Sequence, residues 1–160
     1  MSRHRRSSVL GLILAGLVLV SPISARKAVL IELRSGDIRN GQIHATGFTF
    51  QINSERIAAG SVRFVIHIAE AGAAFSADPP DVALGRLSQT RSGTNIDGIR
   101  SLAARRNGSS ADCTFEAATE ILSGRDVIFS FTNPSTDGQG RPMPGAIIYF
   151  ARLKDFLNNR

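Results

Sequence analysis

The sequence predicts a mainly β protein with minor α content: an N-terminal signal segment, a small five-stranded β-barrel, then a β-rich C-terminal part ending in a short helix. Val29, Ile31 and Leu33 recur at period two, as do Phe48, Phe50 and Ile52, which is the pattern of strands wet on one face. The same alternation returns late in the chain at Cys113, Phe115 and Ala117 and at Val127, Phe129 and Phe131. Turn chemistry at Ser35-Gly36-Asp37, Asn40-Gly41 and Ala59-Gly60-Ser61 cuts the first region into short pieces.

Residues 1–25 read as a signal peptide. Arg3, Arg5 and Arg6 form a basic start, Val9 to Val20 is an uncharged apolar run of 12 residues, and Ser21 to Ala25 breaks it with Ala25 before a cleavage point. That run is shorter than the roughly 20 residues a spanning helix needs. We therefore expect an exported protein, periplasmic or secreted. The alternative is an uncleaved membrane anchor, because Ile23 is larger than the small residue usual two positions before a cut. The pair Arg5-Arg6 also fits a twin-arginine signal.

Bulk composition narrows the partners. With 42% hydrophobic and 20% charged residues, 160 residues can enclose one core of ordinary size. The formal charge is +6, but three of the 19 basic residues fall in the signal segment, which holds no acid; 16 bases against 13 acids remain, a net of +3. There is no contiguous Lys/Arg run to follow a phosphate backbone, so nucleic acid is not an expected partner. The one cysteine, Cys113, forms no intramolecular disulfide, leaving packing to hold the fold, and it reads as a small buried hydrophobe.

Residues 26–69 read as the barrel. Strands are expected over Ala28–Leu33, over Asp37–Ala45 with Ile43 inward and His44 outward, and at Phe48–Ile52. Asn53-Ser54-Glu55 is read as a turn into a short strand around Ile57, followed by Val62–Ile68 with Val62, Phe64, Ile66 and Ile68 on one face. The alternation of Val29, Ile31 and Leu33, then Gly36 and Gly41 with Ile43 behind, and finally Ile57, Gly60, Ser61, Val62, Arg63, Phe64 and Val65, resembles the two sequence blocks of Sm-like or SH3-like small β-barrels as found in exported bacterial proteins. The resemblance covers about a quarter of the chain and implies backbone shape alone. Sm-like RNA binders carry an Asp and an Asn after the second strand and an Arg-Gly or Lys-Gly in the second block, where this chain has Thr46-Gly47-Phe48 and Ala59-Gly60.

Residues 70–110 read as a linker through Pro79-Pro80, followed by a possible short helix over Asn95–Arg106 from the spacing of Ile96, Ile99, Leu102 and Ala103. An echo of Arg34-Ser35-Gly36 with Gly41 in Arg91-Ser92-Gly93 with Gly98 hints at a duplication. Residues 111–160 read as a β-rich subdomain with a hairpin turn at Ser123–Asp126, a 13-residue loop from Asn133 to Gly145, a strand from Ala146, and a terminal helix carrying Leu153, Phe156 and Leu157. Three barrel phenylalanines, Phe48, Phe50 and Phe64, are more aromatic area than so small a unit encloses, so Phe115, Phe129, Phe131 and Phe150 should share or abut its core.

No catalytic or cofactor motif is present, and no cofactor is expected. His44 and His67 face outward on different strands without a third ligand, so a metal is not expected either. The binding candidates are Arg63 and His67 on the outward barrel face, and Asp137 and Arg141 in the long loop. The expected function is a non-enzymatic exported domain that binds another envelope or secreted protein, or a second copy of itself, through a sheet edge or that loop. The alternative is a small-ligand binder or hydrolase using a cleft between the barrel and the C-terminal sheet, its test being whether His67, Asp126 and Arg141 converge.

Overall fold

The computed structural model describes residues 28–71, 81–124, 126–133 and 147–157. The signal segment expected over 1–25 lies outside the described residues, as do Asp137 and Arg141. The chain is mainly β. Its strands are β1 (Val29–Glu32), β2 (Ile43–Ala45), β3 (Phe48–Ala58), β4 (Ser61–Glu70), β5 (Asp81–Thr90), β6 (Gly93–Leu102), β7 (Ala104–Asn107), β8 (Ser110–Ala118), β9 (Val127–Asn133) and β10 (Ile147–Arg152), with one short helix, α1 (Thr119–Leu122). Among the described residues no helix is long and apolar enough to cross a membrane.

The strands form two five-stranded sheets instead of the expected small five-stranded barrel. The first sheet runs β1-β10-β9-β5-β6 and the second β2-β3-β4-β8-β7. The barrel fails because β1 leaves its neighbours in sequence and pairs in parallel with β10, Val29 opposite Ile147 and Glu32 opposite Phe150. On the other side β4 takes β8 as its partner, with Phe64 opposite Phe115 and Ile66 opposite Cys113. Both halves of the chain thus contribute to both sheets.

The core lies between the sheets. Phe48 and Phe50 of β3 meet Phe131 of β9 and Tyr149 of β10, with ring centroids 5.4 Å apart for Phe48–Phe131 and 5.1 Å for Phe50–Tyr149. Phe64 and Phe115 stack at 5.3 Å, and Phe115 reaches Phe129 at 6.5 Å. All of these aromatics belong to one buried cluster, as expected of a fold without a disulfide. Phe150 is the exception. Strand alternation places it on the outer face of the first sheet, where it and Ile128 are also buried.

Four local expectations are corrected, because strand pairing and tertiary packing override local propensity. Asn53-Ser54-Glu55 makes no turn: β3 continues through it, opposite Phe64 and Val65 of β4, and the reversal falls at Ala59-Gly60, with Gly60 at φ 82°. The helix expected over 95–106 is instead β6 and β7, and β6 forms a long hairpin with β5; the linker expected through Pro79-Pro80 lies outside the described residues. Its helix-like spacing has a specific cause. Leu84 pairs with Arg100 and Gly85 with Gly98, so Ile99 is an extra residue in a bulge, and period two becomes three at that point. Finally, Ser123–Asp126 joins no hairpin, since β8 and β9 lie in different sheets; α1 carries the chain across, with Leu122 buried. The terminal helix is reduced to one 3-10 turn, Leu153–Phe156, whose Leu153 and Phe156 are buried.

Candidate functional site

Arg63 and His67 stand on the outward face of β4, as the alternation required, and each is engaged. Arg63 Nη2 donates to Glu116 Oε1 at 3.0 Å, with Glu55 at 4.0 Å on the other side. His67 Nδ1 lies 2.6 Å from Asp112 Oδ1. These are cross-strand pairs, Arg63 opposite Glu116 and His67 opposite Asp112, of the kind that stabilises sheet register by a few tenths of a kcal/mol, up to about 1. They lie on the solvated outer face of the second sheet, with side chains about half exposed.

Of the residues whose convergence would have marked a hydrolytic site, the two described, His67 and Asp126, stand on different sheets with separate partners. Asp126 precedes β9 in the first sheet and pairs with Arg86 at 2.8 Å, while His67 is in the second sheet with Asp112; Arg141 lies outside the described residues. His44 faces outward on β2 and shares a hydrogen bond with Thr49 Oγ1 at 3.1 Å. Among the described residues no three His, Cys, Asp or Glu side chains come together as a metal site. Burial pushes the Cys113 thiol up to about 11, so it is not a thiolate at neutral pH.

Among the described residues, the space between the sheets opens at two sides. At one side β1 and β2 diverge and leave a cavity of about 530 Å³ with Ile31 and Ile43 on its walls and Asp37, Arg39 and His44 at its rim. Glu32 also lines it. Burial pushes the Glu32 carboxyl up, but the hydrogen bond from Arg152 and the charges of Arg152 and Arg34 outweigh burial and hold it below its ordinary value.

At the other side the chain crosses between sheets, passing from β6 through Ala103 into β7. That crossing makes β7 short. It pairs with β8 only from Ala104 opposite Cys113 to Asn107 opposite Ser110. Beyond Cys113, among the described residues, no strand lies along that side of β8. The Thr119 N–H donates to the Gly60 carbonyl at 2.8 Å, and the Ser109 carbonyl accepts from the Glu70 N–H at 2.9 Å. Successive strand residues direct their amide groups to opposite sides, so odd-numbered residues of β8 serve β4 and the amide groups of Glu116 face the open side. There the Glu116 carbonyl accepts a bond from Arg100 Nη2 at 3.3 Å.

Beside this open edge lies a groove of about 310 Å³, mostly apolar, with Leu84, Ile99, Ala117 and Ile121 among its walls. Ile99 and Ile121 are 51% and 46% exposed, two of only four large hydrophobic side chains so exposed among the described residues. None of these residues was legible as a site from the sequence. The only local signal was Ile99 itself, whose irregular spacing was read as helical.

The chain matches no known protein family, no curated protein and no solved structure.

Proposed function

We propose that this protein is an exported, non-enzymatic binding domain that accepts an extended segment of another envelope or secreted polypeptide along the open edge of β8. The observation that carries the reading is the conjunction at one place of a strand edge unpaired among the described residues and an apolar groove. Amide groups of an edge strand recognise an extended backbone, and a pocket beside them recognises alternate side chains. The basic start and short apolar run of residues 1–25 support export.

The test is titration of short strand-forming peptides into isotope-labelled protein, read by amide exchange. Docking should protect the Glu116 N–H, and Ile121→Glu should abolish the protection without lowering the melting temperature, since Ile121 is exposed. If no peptide protects Glu116, the reading is wrong.

The cavity between β1 and β2 favours a second reading, a small-ligand binder, because it is the larger volume and joins apolar walls to ionisable rims. A fragment screen read at the His44 and Ala45 amides separates the two: a ligand there would shift those signals and leave Glu116 unmoved.

A further inference from the structure

Resting on that strand-docking reading, we infer that the seam selects an acidic extended segment, because Arg100 holds the place of the incoming strand and is released toward it. Arg100 and Glu116 carry the ionisable side chains of the groove lining. The Glu116 carboxylate is turned to the outer sheet face, where Arg63 neutralises it at 3.0 Å. The net charge offered to an occupant of the groove is therefore the guanidinium of Arg100.

The same guanidinium occupies the Glu116 carbonyl, the acceptor that a strand N–H must take to pair with β8. Docking exchanges one donor for the other. The displaced guanidinium then lies beside a newly covered apolar groove, where losing the Glu116 acceptor is costly unless the partner supplies another. A carboxylate answers both needs, since it matches the charge and takes a guanidinium through paired N–H groups. A strand with lysine at that position places like charges together. A second copy docking by its own β8 edge would bring a second positively charged seam, with its own Arg100, against the first, an unfavourable meeting of like charges, so the occupant is assigned to a different polypeptide.

Peptides of alternating valine and threonine, carrying one Glu, Gln or Lys at successive positions, provide the test on the full chain. The Glu series should bind roughly two- to fivefold more tightly than the Gln series at one position, and the Lys series more weakly than both. Arg100→Met should erase the difference while leaving the Gln series bound at least as tightly, because the placeholder is gone. Arg100→Glu should turn the preference toward Lys. Equal binding of the Glu and Lys series would overturn the acidic preference and leave strand docking standing. Failure of all series to protect the Glu116 amide would overturn both. A dimer of the protein alone, with that amide already protected, would assign the seam to a second copy and equally overturn the inference.

Discussion

The phenol of Tyr149 donates a hydrogen bond to the backbone carbonyl of Thr46 at 3.1 Å, tying the centre of one sheet to the turn between β2 and β3 of the other. Thr46 has φ 44° and Gly47 φ 84°, the two positive values a type I′ hairpin requires. For a β-branched residue that conformation is strained.

Thr46→Asn should therefore stabilise the protein by about 1 kcal/mol, since asparagine suits the left-handed region and Asn-Gly is the favoured pair for this turn. Tyr149→Phe should cost about 1–2 kcal/mol by orphaning a part-buried carbonyl. Denaturant midpoints at constant slope would measure both. A destabilised Thr46→Asn would show that its threonine is held by something other than turn geometry.

Glu32 joins β1 to β10 through Arg152, whose Nε lies 2.6 Å from its carboxylate. Burial opposes ionisation of Glu32, but the two arginines prevail and its folded value lies below the ordinary 4.5. A carboxyl so held binds fewer protons folded than unfolded, so its contribution is complete above the unfolded value and is lost as pH falls through the folded one. Glu32→Gln should be less stable than the native protein at neutral pH, with the gap closing on acidification below about pH 4. A gap independent of pH would mean that the pair contributes by shape and not by charge.

Gly85 sits where β5 and β6 bend at the bulge. A Cβ built there meets the backbone oxygen of Asp97 and Cγ2 of Ile96, both at 3.1 Å, and Cγ1 of Ile128 at 3.6 Å. Because one of the two close contacts is a strand backbone, Gly85→Ala should cost about 1–3 kcal/mol by overpacking. Gly98 across the hairpin meets nothing within 4 Å, so Gly98→Ala should be nearly neutral. Thermal melts of the two variants form the comparison; equal effects would count against a close approach at Gly85.

Removing residues 111–160 deletes β8, β9 and β10, and with them Phe129, Phe131 and Tyr149 from the aromatic cluster. The remaining fragment should aggregate or exchange its amides within the dead time. A soluble, cooperatively melting fragment of residues 26–76 would show that the first strands fold alone. In the full chain, Phe131→Ala should cost about 3–5 kcal/mol, with no separate transition for the first half.

Much of the local structure was legible. The inward faces of β3, β4, β8 and β9 follow from alternation, because side-chain direction in a strand is a property of adjacent residues. The seam was not legible. Arg100, Ile121 and Leu84 are ordinary residues in ordinary patterns, and only the early end of β7 makes them neighbours of an open edge.

By itself, the sequence determined that much of this chain is built of amphipathic strands, which side chains those strands bury, and that the phenylalanines of its two halves share a core. Only the tertiary structure decided which strands pair. Glu32 and Arg152 meet across 120 positions, and β1 prefers β10 to any strand near it in sequence. Alternation specifies a face but carries no address for the neighbouring strand. Sheet membership, the bulge at Ile99 and the open half of β8 are therefore set by packing the whole chain at once, where burying the shared aromatic core outweighs local turn and helix preferences.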